Sequence, residues 1–227
     1  MDKISKIAKT AAGSAPDMAK INAQSLRELT KEEVFTFKVA ACNTLTDRAF
    51  EHFTEASLRK MAELYVGKTV IFDHSWSAAN QTARVYDSYV EAMDGGKQLI
   101  LLAYMLRKAE TQALIDAIEG GILREVSVCF SCKKLTCDIC GKDIRSAKCP
   151  HFPGLEYDGV TCTATLEEIT DVYEVSFVAV PAQPAAGVTK SLEKTDAADE
   201  GKAESEPNPK ISADDVDALA LEKIRYV

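Results

Sequence analysis

The sequence predicts an α+β fold, in which strands outnumber two well-marked helices. Three patterns carry this. Over 34–40, Val34, Thr36 and Lys38 alternate with Phe35, Phe37 and Val39, the period of a strand. Over 54–65, Leu58, Met61, Leu64 and Tyr65 recur three or four apart and Gly67 follows as a stop, the signature of a helix. Two apolar-rich runs over 82–106 flank Asp94-Gly95-Gly96, where glycine supplies the positive φ of a tight hairpin turn.

The remaining elements follow in order. Residues 1–32 are polar and rich in Ala and Lys, without a sustained apolar stripe, and read as a mobile arm or a loosely attached helix. The short apolar run 69–72 delivers the chain to Asp73-His74. A second helix is expected over 108–119, with Leu114, Ile115 and Ile118 on one face and Gly120-Gly121 ending it. A strand over 122–130 carries Ser127, and a cysteine-rich stretch interrupts the strands over 132–151. Two more strands are expected near 161–169 and 171–180, with Pro181 and Pro184 closing the last. The main domain therefore spans 33–189. Beyond it, residues 190–227 form a charged tail: acidic and basic residues mix with Ala, Ser and Pro in the composition of a disordered linker. An amphipathic helix is expected at its end, over 211–227.

Composition limits the function. The 227 residues carry a net charge of −8 with a pI near 5.0, so no basic surface invites nucleic acid. No apolar run approaches the roughly 20 residues of a membrane-spanning helix. The N-terminal lysines lack an apolar h-region behind them, which makes a poor export signal and points to the cytoplasm.

Seven cysteines, an odd number, are present, and five of them (Cys129, Cys132, Cys137, Cys140, Cys149) fall close together. A secreted disulfide framework spreads an even set along the chain, whereas a cluster in a cytosolic protein suggests metal. Cys137-x₂-Cys140 sets two thiolates on one turn, and Cys149-x-His151 offers two further ligands, a donor set suited to a closed structural Zn²⁺ site. Histidine among the ligands favours zinc over an iron–sulfur cluster. Cys132 and Cys162 are spares that either replace a ligand or are simply buried.

Three residues stand out for chemistry. His74 ends a buried-looking strand and opens an irregular loop with Trp76, a position that suits a general base and equally a hydrogen-bonded structural histidine. Ser127, centred in an apolar strand, is either a satisfied core hydroxyl or a nucleophile presented by the sheet. Glu174, also within a strand, must be paired or face solvent.

Asp73-His74, Val126-Ser127-Val128-Cys129-Phe130 and the block from Tyr173-Glu174-Val175-Ser176-Phe177 through Pro181-Ala182-Gln183-Pro184-Ala185-Ala186 together resemble the tailed-phage prohead maturation proteases over roughly 33–189. That family is similar in fold to herpesvirus assemblin, so the resemblance implies a small barrel-like, mostly antiparallel sheet with flanking helices. It implies a serine endopeptidase with His74 as base, Ser127 as nucleophile and Glu174 as third member, Asp171 and Glu168 being the alternatives. Substrates would be capsid and scaffold proteins, with possible self-cleavage and self-association inside the immature shell. The zinc-like insertion resembles one found in part of the family. Cys129 departs from the family's usual small residue two places after the serine. A chain that keeps this fold without turnover would instead act as a capsid-assembly or scaffold protein.

Overall fold

A computed structural model describes residues 16–191. The expected tail helix over 211–227, the linker before it and the first half of the arm lie outside the described residues. Ten strands and three α-helices follow one another: α1 (Met18–Asn22), β1 (Val34–Asn43), β2 (Glu51–Phe53), α2 (Glu55–Tyr65), β3 (Thr69–Phe72), β4 (Ala83–Met93), β5 (Gly96–Leu106), α3 (Ala109–Glu119), β6 (Val126–Cys137), β7 (Glu156–Tyr157), β8 (Val160–Thr161), β9 (Ala164–Phe177) and β10 (Gly187–Ser191). The fold is α+β, dominated by a mixed sheet in the order β10-β1-β5-β4-β3-β9-β2, with β6 pairing along the other side of β9. The pairs are antiparallel except β2–β9 and β3–β9.

The expected barrel is not closed. Glu125, just ahead of β6, bridges to Gly187 of β10, and the Val188 amide donates to the Arg124 carbonyl at 2.8 Å. The Val126 amide also donates to the Ala186 carbonyl at 3.4 Å, but no ladder joins β6 to β10. Residues 178–186 cross from β9 to β10 outside any strand, and Pro181 and Pro184 have no amide to give to a ladder.

One face of the sheet makes the main core, with Phe35, Phe37, Val39, Val70, Leu101, Val126, Val175 and Phe177 packed under α2 and α3. Helix α2 is capped by Thr54, whose side chain accepts from the Ser57 amide at 3.0 Å, and it buries Leu58, Met61 and Tyr65. The N-terminal arm is docked where it is described. Ile21 of α1 and Leu29 pack with Val34, Tyr86 and Tyr104 on the opposite face, which explains why β1 is buried on both sides. The Asn22 side chain fastens this segment, accepting from the Leu29 amide at 2.8 Å.

Three expected boundaries move. The strand carrying Ser127 does not stop at Phe130 but runs to Cys137, so the cysteine insertion begins five residues later than residue 132. The two strands expected over 161–180 are one, β9, kept continuous by register shifts opposite Cys129/Phe130 and Ser131/Cys132. Glu168 takes a φ of 52° within it. These irregularities break the period of two, which is why the sequence reads as two pieces. Finally, the domain extends past 189, because β10 pairs with β1 as far as Ser191.

Candidate active site and metal centre

His74 is placed by the turn that ends β3. The Ser75 amide donates to the Phe72 carbonyl at 2.9 Å, and Asp73 and His74 have φ of 50° and 51°, the two left-handed residues of a type I′ turn. Such a pair without glycine is strained and must be held. It is held by β9: the Asp73 amide donates to the Phe177 carbonyl at 3.0 Å, and the His74 amide donates to Ser176 Oγ at 3.0 Å.

The imidazole then meets Glu174, with Nδ1 2.6 Å from Oε1. Glu174 is 2% exposed, and its other oxygen accepts from Ser176 Oγ at 2.7 Å, so a buried carboxylate has both oxygens engaged. The Glu174 hydrogen bond is the largest influence on the imidazole and raises its pKa above the usual 6.5, against the opposing effect of burial; the charges of Glu174 and Asp73 add to the rise. With Nδ1 occupied, Nε2 is the nitrogen left for chemistry.

Ser127 belongs to the same face. In the β6–β9 register Ser127 lies opposite Ser176 and Cys129 opposite Glu174, while Val126 and Val128 pair with Phe177 and Val175 on the core side. Directly opposed side chains on one face are about 5 Å apart at Cβ, so the Ser127 hydroxyl adjoins the group that ties Glu174 to the His74 turn. No hydrogen bond joins Ser127 to His74 among the described residues. The Cys129 thiol is pushed up by burial and then by the Glu174 charge, both of which disfavour its thiolate form. Tyr65, at the end of α2, donates from below to the carbonyls of Cys129 (3.3 Å) and Glu174 (3.4 Å), locking the two strands at this level.

A cleft of about 390 Å³ opens beside Glu174, lined by Thr69, Ile71, Trp76, Ser77, Gln81 and Tyr173. Tyr173 is the extra residue of a β-bulge: Cys129 pairs with Glu174 and Phe130 with Val172, leaving Tyr173 unopposed. The bulge turns Val172 into the core and Tyr173 outward, where its ring meets the exposed Trp76 at 5.4 Å. A smaller cavity of about 140 Å³, walled by Ala41, Phe53, Val126, Phe130 and Ala186, reaches Ser127 from the other side.

The alternatives to Glu174 are occupied elsewhere. Asp171 pairs with Lys68 at 3.3 Å, and Glu168 is solvent-exposed. Ser176 is the residue that the sequence reading missed. It was visible as the i+2 neighbour of Glu174, hence on the same face, but nothing in the pattern tells a bridging hydroxyl from a packed one.

The second cluster lies at the far end of β6. Cys137, its last residue, Cys140, Cys149 and His151 place their donor atoms within 4.8 Å of one another, and this set could hold a metal ion. Cys140 Sγ is 3.7 Å from Cys149 Sγ, and Cys137 Sγ is 3.6 Å from His151 Nδ1. The Cys137-x₂-Cys140 turn closes through the Gly141 amide on the Cys137 carbonyl at 2.8 Å, with Gly141 at a φ of 70°. Burial works against ionising Cys137, but the backbone N–H groups of Cys140 and Ile139 and the thiols of Cys140 and Cys149 outweigh it and lower its pKa to about 6. A thiolate is the form that binds metal. Asp138, between the two cysteines, accepts from Thr163 at 2.5 Å and Thr165 at 2.6 Å, and so pins the turn to β9. His52 sits against this clamp with Nε2 3.1 Å from Thr165 Oγ1. Cys132 stands apart, half-buried beside Arg145, whereas Cys162 is fully buried with Sγ 3.8 Å from Cys137 Sγ.

No family model, curated protein or solved structure matches the chain. No helix among the described residues is long and apolar enough to cross a membrane.

Proposed function

We propose that the chain is a serine endopeptidase of the prohead-maturation kind, cutting scaffold and capsid proteins, and at times itself, inside an immature phage shell in the host cytoplasm. The observation that carries the reading is the 2.6 Å hydrogen bond from His74 to the buried Glu174, on the sheet face that also bears Ser127. A carboxylate on Nδ1 fixes the tautomer that leaves Nε2 free to accept a proton, which is the role of the third member of a catalytic triad. His74 Nε2 takes the proton from Ser127 Oγ, and the alkoxide attacks the scissile carbonyl. The imidazolium then protonates the leaving amine, and water repeats the sequence on the acyl-enzyme. Glu174 stabilises the imidazolium, and Ser176 holds Glu174. The Trp76–Tyr173 cleft receives the substrate side chains next to the scissile bond.

The metal reading is separate. Three thiolates and one imidazole in a short loop favour zinc in a closed, structural role, and the four donors leave no corner open for water. Zinc bound there orders the insertion and takes no part in the hydrolysis.

One test addresses the peptidase reading. A fluorophosphonate probe should label the full chain once, at Ser127, and Ser127→Ala should lose both the label and cleavage while keeping its melting curve. A folded Ser127→Ala variant that processes shell protein as well as the parent would end the peptidase reading. It would favour a capsid-assembly or scaffold protein, a role compatible with the missing hydrogen bond between Ser127 and His74.

A further inference from the structure

A further thiol, Cys162, borders the four-donor metal cluster. Zinc bound to thiolate at about 2.3 Å and to imidazole at about 2.0–2.1 Å sets tetrahedral edges of about 3.8 Å between two sulfurs and about 3.5–3.6 Å between sulfur and nitrogen. Two sulfur pairs lie at the first spacing, Cys140–Cys149 at 3.7 Å and Cys137–Cys162 at 3.8 Å. His151 Nδ1 lies at the second spacing from Cys137, at 3.6 Å. Cys162 thus approaches the Cys137 sulfur at the distance of a second ligand, although it lies outside the four donors that are all within 4.8 Å of one another and that already fill a closed zinc site.

The two candidates are held differently. Cys162 follows the β7–β8 hairpin directly and is fixed by its own amide on the Leu155 carbonyl at 2.7 Å and by the Gly154 amide on its carbonyl at 2.9 Å. Its neighbour Thr163 is tied to Asp138 of the Cys137–Cys140 turn through both backbone and side chain. His151 lies in an irregular stretch, half-buried, with its ring edge-on to Tyr157 at 4.6 Å. Cys162 is therefore built into the frame, and His151 reaches in from a loop.

We propose that His151 and Cys162 share one corner of the metal site: the resting set is Cys137, Cys140, Cys149 and His151, and Cys162 replaces the imidazole when His151 is withdrawn. The second set is a four-thiolate site spaced Cys137-x₂-Cys140-x₈-Cys149-x₁₂-Cys162. In the exchange the Cys162 thiol gives up its proton to solvent as its sulfur binds and the neutral imidazole leaves, so the centre becomes one charge more negative. The centre then stays closed when the stretch carrying His151 moves, for example when a partner draws the neighbouring exposed Phe152 away.

This inference rests on the metal half of the proposed function and not on the peptidase half. The test is metal content of the full chain together with the sulfur and nitrogen count from X-ray absorption at the zinc edge. The parent should hold one zinc with three sulfurs and one nitrogen. His151→Ala and His151→Asn should each keep about one zinc, now with four sulfurs, and Cys162→Ser should keep the parent's set. The double variant His151→Ala/Cys162→Ser should lose its zinc to a chelator that leaves each single variant loaded. Loss of zinc from both His151 variants, or three sulfurs plus oxygen in them, overturns the exchange. A parent with four sulfurs overturns it too, since His151 would then not be a resting ligand. A parent without metal overturns the metal reading itself.

Discussion

Replacing Glu174 by glutamine is the most searching perturbation of the site, because it keeps shape and removes one charge. The carboxylate serves two neighbours at once, His74 Nδ1 at 2.6 Å and Ser176 Oγ at 2.7 Å. A hydrogen bond to a charged group contributes about 1.5–3 kcal/mol. Losing that much from the imidazolium-like transition state slows the reaction by about 10- to 150-fold, at 1.36 kcal/mol per decade. The network makes the loss larger. Ser176 accepts from the His74 amide and donates to Glu174, so in the variant it favours the amide oxygen and turns the NH₂ group toward Nδ1. A donor there forces the proton onto Nε2, the wrong tautomer for a base, and the loss then approaches the order of 10⁴-fold. Adding Ser176→Ala frees the glutamine to flip and should recover part of the activity. The assay is kcat/KM on a fluorogenic peptide across pH, with melting curves for each variant and an NMR titration of His74. Full activity in Glu174→Gln, or a His74 pKa unmoved by the change, refutes the reasoning.

Other expected outcomes are as direct. Parent kcat/KM should rise with pH as His74 loses its proton, with a midpoint above 6.5, because the base works neutral and Glu174 holds the proton on. The same interaction adds stability that is fully present below the unfolded pKa of 6.5 and lost as pH rises through the raised value; the melting temperature of Glu174→Gln should lack this slope. Ser127→Ala should reduce cleavage by about 10⁴-fold or more without lowering the melting temperature. Chelation of the metal, or Cys137→Ser, should lower the melting temperature and soluble yield before it affects turnover per folded molecule. Ile21→Ala should cost about 2–4 kcal/mol in denaturant melts, since Ile21 is fully buried beneath β4 and β5; a change under a few tenths would mean the N-terminal segment is not docked.

What the sequence exposed and what it hid divide along physical lines. Local signals were legible: the alternation of β1, the 3.6 period of α2 and the glycines of the β4–β5 turn all answer to neighbours within a few residues. The metal donors were legible for the same reason, since their spacing is short. Ile21 was not, because Met18 and Ile21 on a five-residue helix are too few to make a stripe, and the burial of Ile21 depends on Tyr86 and Tyr104 far along the chain. The continuity of β9 was hidden by its bulges, which shift Tyr173 and Thr170 out of phase with their neighbours. The juxtaposition of His74 with Glu174 spans 100 residues and depends on a left-handed turn that Asp-His does not advertise. The difference between His151 and Cys162 is likewise one of distance in space and not of spacing in sequence.

The strand that presents Ser127 ends ten residues later in Cys137, and its partner β9 shifts register against it twice on the way. A strand side chain points up or down by parity alone, so a slip of one residue would carry Ser127 through the sheet to the core side. An edge strand whose one long partner carries two bulges has little else to count by. Clamping its far end, through Cys137 in the metal cluster and Asp138 on Thr163 and Thr165, sets the origin from which that parity is measured. The cysteine insertion thus serves as a datum for the sheet, and an insertion or deletion of one residue between 128 and 136 should silence the serine more surely than many substitutions around it.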